Sequence, residues 1–380
     1  MPEAPIYLDH NATTPVAPEV VEAMWPYLTE RFGNPSSATV QGRLARVGVD
    51  RAREQLASLI GARPDEIVFT SGGTESNNLA IRGAASVAAV KRAVTSVNEH
   101  PATVQPLAHL RNSHGWEIDE LPVDAEGRVT AADMPAGDLG LGTVILAHNE
   151  VGAVQPIDDL AEAVRTAGGL MHTDGAQAVG KIPVSVAELG ADLLSIAGHK
   201  LYAPKGVGAL WIRRGIRIDP VLVGAGQERG IRPGTENVAS IVGLGAAAEL
   251  AAERLTSEAE RQAGLREDLW HRMRTAIPDL VRISPSAGCL PNTLMVAVPS
   301  MLGADLLERT EEVDASTGSA CHSGVHTPSS AFLAMGFTPD VALGALRLSL
   351  GRSTAAADIE RAAAALAHAA NTLAAEREHA

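Results

Sequence analysis

The sequence predicts an α/β fold: a large, doubly wound, mainly parallel sheet with a smaller α+β domain. Three observations carry this expectation. Short apolar, β-branched runs alternate with helical stretches from about residue 66 to residue 212, and that alternation implies parallel strands joined by crossover helices. Most of these runs end in a polar or glycine-rich cluster, which is where open α/β sheets hold their ligands. Near residue 240 the alternation gives way to a long Ala-rich helical region and then to mixed strands and helices. These shifts divide the chain into a large domain over 16–250 and a small domain made of 1–15 and 251–380.

The elements follow in order. Tyr7-Leu8-Asp9-His10-Asn11-Ala12-Thr13-Thr14-Pro15 reads as a strand end entering a loop, because an apolar start meets polar residues and a proline. Helical spacing covers 18–30 and about 40–59, with the loop Phe32-Gly33-Asn34-Pro35-Ser36-Ser37 between them. A strand over 66–70 breaks at Ser71-Gly72-Gly73-Thr74-Glu75-Ser76, and a helix is expected from about Asn77. Further strands end in Asn98-Glu99-His100, His148-Asn149-Glu150 and Asp174-Gly175-Ala176-Gln177. The strand 192–196 breaks into Gly198-His199-Lys200, and a strand over 208–212 follows. After the helical region 238–277 come a strand at 293–298, a Ser/Gly loop at 316–323, a strand at 346–350 and a closing helix from about Thr354.

Composition removes several classes of function. A net charge of −14 argues against direct nucleic-acid binding over the whole surface. No apolar run reaches membrane-spanning length, and no signal-peptide pattern opens the chain. Two cysteines cannot build a disulfide framework or a four-thiolate metal site. A reducing, cytoplasmic setting is expected, with no metal centre.

Several motifs invite chemistry. Lys200 is one of only four lysines and stands at the end of an apolar strand, where a charged amine is costly. A neutral amine there can form a Schiff base with an aldehyde cofactor such as pyridoxal phosphate; a surface lysine in a turn is the simpler reading. Ser71-Gly72-Gly73-Thr74 between a strand and a helix suits phosphate, or is merely a glycine turn with a cap. Asp174 can keep a pyridine nitrogen protonated, or cap a helix. His100 can stack on a flat ring or carry protons, and Asn149 can reach a ring substituent or a carboxylate, although either suits a turn. Cys321 lies in Gly318-Ser319-Ala320-Cys321-His322-Ser323-Gly324, whose small polar flanks suit a mobile exposed loop and a nucleophilic thiol. Cys289 precedes a strand and reads as a buried apolar residue. Arg347, inside the apolar run Leu346-Arg347-Leu348-Ser349-Leu350, needs an anionic partner: a bound carboxylate or a structural ion pair.

Taken together and in order, these segments resemble the cysteine desulfurases of the class V aminotransferase group. The resemblance spans nearly the whole chain and also includes Arg232-Pro233-Gly234-Thr235. It implies an aspartate-aminotransferase-like fold (fold type I) with pyridoxal 5'-phosphate bound to Lys200. His100 would stack on the ring, Asp174 would pair with its nitrogen, and Gln177 would face its phenolic oxygen. Gly73, Thr74 and His199 would hold the phosphate, with Thr235 supplied by the partner of a homodimer. Asn149 and Arg347 would bind the carboxylate of L-cysteine, and Cys321 would accept the sulfur as a persulfide. The products would be L-alanine and sulfur for an acceptor protein, with iron–sulfur cluster assembly the expected destination. Sulfur supply for tRNA thiolation or DNA phosphorothioation, and selenocysteine lyase activity, are the alternatives. A transaminase would have no use for the Cys321 loop, and a scaffold without catalysis would have no use for Lys200. Two positions depart from the family pattern. Ala197 stands where many relatives have a phosphate-binding serine, which removes a hydrogen bond of about 0.5–1.5 kcal/mol. His148 stands where relatives often have Asn.

Overall fold

A computed structural model describes residues 4–317, 319–322 and 325–378. After β1 (Ile6–Tyr7), a seven-stranded sheet is built from β2 (Ile67–Thr70), β3 (Arg92–Ser96), β4 (Glu117–Leu121), β5 (Leu141–Ile145), β6 (Leu170–Asp174), β7 (Leu193–Ala197) and β8 (Gly208–Ile212). Their spatial order is β2-β8-β7-β6-β5-β3-β4. Pairings from β7 through β4 are parallel, and β8 runs antiparallel to both β2 and β7. Every residue of β5, β7 and β8 is buried, as expected of strands covered on both faces. The period of two is visible in β2: Ile67 and Phe69 join one core cluster while Val68 joins the cluster on the opposite face.

The helix after β2 begins at Gly73, four residues earlier than the sequence predicts, and runs to Val87. Gly72 precedes it at φ 148°, a backbone that an L side chain resists. The motif therefore forms the helix's own first turn rather than a loop before it. The helix Pro101–His114 is capped by His100, whose Nδ1 accepts the Ala102 N–H at 3.0 Å, and it stops at Gly115 with φ 69°.

A single helix of 39 residues, Val238–Ala276, connects the two halves. Ile241, Leu244, Ala248 and Ala251 near its start pack into the sheet core. Leu269 and Met273 near its end pack into a second core, with Leu294, Leu346, Leu348 and Leu366. The sequence-derived boundary at 250/251 falls inside this unbroken helix. Past this helix come β9 (Val281–Arg282), β10 (Thr293–Ala297), β11 (Val313–Asp314), β12 (Ser316–Thr317), β13 (Ser319–His322), β14 (Val325–Pro328) and β15 (Ala345–Ser349), of which β10, β11 and β15 contribute to the second core. An antiparallel sheet has the order β12-β15-β10-β9, and β1 pairs in parallel with β11, so Ile6 and Leu8 enter this core.

One expectation changes here. Residues 316–323 were expected as a loop, yet β12 lies within them and β13 pairs antiparallel with β14, setting Cys321 opposite His326 in register. The reason is that Val325-His326-Thr327 is a β-prone run able to pair with the small residues before it. Gly318, Ser323 and Gly324 lie outside the described residues, as do the side chains of 319–322 and of 325 and 326. Among the described residues, no helix is long and apolar enough to cross a membrane, and no group of three or more His, Cys, Asp or Glu could hold a metal ion.

Candidate active site

A cavity of about 430 Å³ opens at the carboxyl edge of the large sheet. The strand order β7-β6-β5-β3 sets Lys200, Asp174, Asn149 and His100 in a row, each at or just after its strand's end. All four line the cavity, together with Asn11, Gly73, Thr74, Gln177, Ala197, His199 and Arg347. Parallel pairing explains the convergence, because neighbouring parallel strands deliver their last residues to one edge.

Lys200 ends a short 3₁₀ turn, Gly198–Lys200. Its Nζ donates to the carbonyl oxygens of Asn11 and of Ala12, the latter at 2.7 Å. Burial, and secondarily the nearby Arg347 charge, push its pKa down to about 8. Beside it, His199 Nδ1 meets Thr13 Oγ1 at 3.1 Å, and burial holds its imidazole near pKa 4, that is, neutral. Asp174 is only 4% exposed. Its Oδ2 accepts from Asn77 Nδ2 at 2.7 Å and its Oδ1 from the Ala176 N–H at 2.9 Å. His100 spends Nδ1 on capping its helix, which leaves Nε2 to face the cavity; burial lowers its pKa. Gly73 and Thr74 present first-turn amides that have no partner inside their own helix. A Cβ on Gly73 would stand 3.3 Å from the Ala197 Cβ, so the glycine keeps this approach open.

The opposite wall comes from the second core. Arg347, in the middle of β15, donates Nη2 to Asp9 Oδ1 at 2.6 Å and to Ser316 Oγ at 3.1 Å, and Nη1 to the Asn149 carbonyl at 3.2 Å. Its Nε is buried without a partner among the described residues. The guanidinium lines the cavity, and its charge is what an incoming carboxylate would pair with.

His148 now has an account. It is buried, and its Nδ1 accepts the N–H groups of Glu150 at 3.3 Å and Val151 at 3.2 Å. It closes the turn that carries Asn149, and burial holds its pKa near 4. Thr235 is exposed and does not line this chain's cavity. Cys289 is half-buried, and its thiol donates to the Val151 carbonyl at 3.5 Å.

Sequence reasoning passed over several residues. Asn11 joins both cores: Nδ2 donates to Thr293 Oγ1 at 2.8 Å, Oδ1 accepts from Lys181 Nζ at 2.8 Å and from Asn292 Nδ2 at 3.0 Å, and its carbonyl accepts from Gln177 Nε2 at 3.0 Å. Asn77 holds Asp174, and Asp9 holds Arg347. Glu99 accepts the Ile145 N–H at 2.9 Å, and burial raises its pKa to about 8. The one sequence signal was the polar density of Asp9-His10-Asn11, which does not say which residue faces where.

The donor set fits pyridoxal phosphate. Helix amides and a neutral histidine suit a phosphate, a buried carboxylate suits a protonated ring nitrogen, an imidazole suits a flat ring, and a depressed amine suits an aldehyde.

Comparison with known proteins gives the family and the fold. Residues 6–362 match the family model described as aminotransferase class-V. A cysteine desulfurase IscS from Dictyoglomus turgidum is 44% identical over 361 residues, covering 93% of this chain and 91% of that one. A solved NifS-like protein superposes with a TM-score of 0.89 at 34% identity, covering 96% of this chain and 98% of that one. A structure described as SspA in complex with cysteine has a TM-score of 0.80 at 34% identity, covering 90% of this chain and 98% of that one.

Proposed function

The chain belongs to the aminotransferase class-V family and is a pyridoxal phosphate-dependent cysteine desulfurase, and we propose how its residues divide that work. When bound, pyridoxal phosphate supplies an electron sink that acidifies the α-proton of an amino acid and weakens its Cβ–S bond. Lys200 anchors the cofactor and, with its pKa near 8, takes and returns the proton at the substrate Cα. Asp174 keeps the ring nitrogen protonated, with Asn77 holding its carboxylate in place. Gly73, Thr74 and His199 bind the phosphate, Gln177 faces the phenolic oxygen, and His100 stacks on the ring and passes a proton through Nε2. Arg347 and Asn149 bind the substrate carboxylate. The Cys321 thiolate attacks the substrate sulfur: an S–S bond forms, the Cβ–S bond breaks, and its electron pair stays with the carbon that becomes the methyl group of alanine.

The row Lys200, Asp174, Asn149, His100 along adjacent strand ends carries this reading. The substrate L-cysteine is supported by the relative solved with cysteine bound. A homodimer is supported by the exposed apolar residues Val21, Trp25, Leu28, Phe32, Val40 and Val47 on one stretch of chain, with Thr235 reaching the partner's phosphate. Residues 16–250 would then be the cofactor domain, and 1–15 with 251–380 the small domain. The sulfur goes to an acceptor protein, with iron–sulfur assembly as the destination, in the cytoplasm. The test is direct. Incubation with L-cysteine should yield equimolar L-alanine and sulfur, and Cys321→Ala should keep the visible cofactor absorbance while forming no persulfide. Sulfide release at full rate from that variant would remove Cys321 from its role.

A further inference from the structure

Lys181 lies behind the cofactor residues and has no task in the division above. Its Nζ donates to Gln177 Oε1 at 2.6 Å and to Asn11 Oδ1 at 2.8 Å, and it forms no ion pair with a carboxylate among the described residues. Lys200 and Arg347 approach it from the cavity and His10 and His199 lie beside it, while Arg254, Glu258, Arg352 and Tyr202 line a neighbouring pocket with it. Burial lowers its pKa well below the ordinary value. A part-buried amine near cations, with no carboxylate paired to it among the described residues, is a costly arrangement.

The geometry says what the amine does. A lysine amine beside two oxygens acts as donor to both. The Gln177 atom that it holds is therefore the carbonyl oxygen, and the amide has one permitted orientation. Nε2 is turned away from Lys181, toward the Asn11 carbonyl at 3.0 Å and the cavity that Gln177 lines. The same Asn11 carbonyl accepts from Lys200, so Lys181, Gln177 and Lys200 are linked through one residue. Without Lys181, only the Asn11 carbonyl would oppose a rotation that offers the amide oxygen to the cavity.

We propose that Lys181 is a positioning residue that locks the Gln177 amide so that an N–H, not a C=O, faces an anionic ring oxygen of the cofactor. This rests on the reading that Gln177 faces that oxygen. The bond that Gln177 donates draws charge from the oxygen and makes it, and the proton it shares, less basic. Loss of the lock therefore raises the pH midpoint of the cofactor's visible absorbance change.

The experiment titrates that absorbance in the holoenzyme, with the apoenzyme melting temperature measured alongside. Lys181→Met should raise the midpoint by roughly half to one pH unit, about three- to tenfold in proton affinity. Gln177→Ala should raise it equally, and the double variant no further. Lys181→Gln keeps a neutral donor at that place and should hold the wild-type midpoint; it also serves if Lys181→Met fails to fold. An unshifted Lys181→Met beside a shifted Gln177→Ala overturns the proposal, as does Lys181→Gln shifting as far as Gln177→Ala, which would mark a charge effect. An unshifted Gln177→Ala overturns the underlying placement of Gln177 instead.

Discussion

The sheet-side wall of the cavity hangs its groups on the ends of four adjacent parallel strands, whereas the opposite wall reaches the cavity from the middle of an antiparallel one. On the first side, Lys200, Asp174, Asn149 and His100 are placed by strand register and by caps that are finished without any ligand: Asn77 and the Ala176 N–H hold Asp174, and the Ala102 N–H fixes the His100 ring. On the second side, Arg347 lines the cavity while its Nη atoms are held by Asp9, Ser316 and a carbonyl. The cofactor side is thus preorganised. On the proposed reading the second side receives the substrate, and an arriving carboxylate would compete with Asp9 for the guanidinium. Fixed groups suit a cofactor that stays, and a poised one suits a substrate that comes and goes.

This contrast can be broken from either wall, and the effects fall in a definite order. Lys200→Ala strikes the fixed wall and should abolish both the visible absorbance and alanine formation, read by spectrophotometry and amino-acid analysis. Arg347→Ala strikes the poised wall and should raise the KM for L-cysteine by roughly 10- to 100-fold, the worth of a charged hydrogen bond. Cofactor content should stay at one per chain; if it falls as well, the two walls are not separable. The pH dependence of apoenzyme reconstitution is a subtler measure. Below a pKa of about 8 the Lys200 amine is protonated and cannot attack an aldehyde, so the rate should climb with pH and level off above about 8. A rate still rising toward pH 10 would describe an ordinary exposed lysine. The smallest effect belongs to Ala197→Ser. Ala197 lines the cavity beside Gly73, and a hydroxyl there should slow cofactor loss by roughly 2- to 10-fold, as one added hydrogen bond would. No change in off-rate would mean that the side chain at 197 does not meet the phosphate.

Much of the fixed wall was readable in the chain, and little of the poised one. Asp174 and Lys200 sit where an apolar run stops, and a run of buried strand residues has few sequence disguises. Arg347 was visible only as a misfit in an apolar strand, because its partner Asp9 is 338 residues away. Asn11 and Lys181 were in plain view and still unread. Each is an ordinary polar residue whose meaning lies in contacts across both cores. Residues 316–317 and 319–322 were misread as loop because their small residues carry no period, and only β15 and β14, respectively, gave them partners.

By itself the sequence determined the alternation of strands and helices, the edge at which they end, and the residue types delivered there, because hydrophobic period and chain breaks are local properties. Tertiary structure alone decided which of those residues share a cavity. It decided that Asp9 pairs with Arg347, that His148 accepts the N–H groups closing the turn of Asn149, and that Lys181 donates to Gln177. Hydrogen bonds and desolvation depend on distances through space, and the separation of residues along a chain does not set those distances.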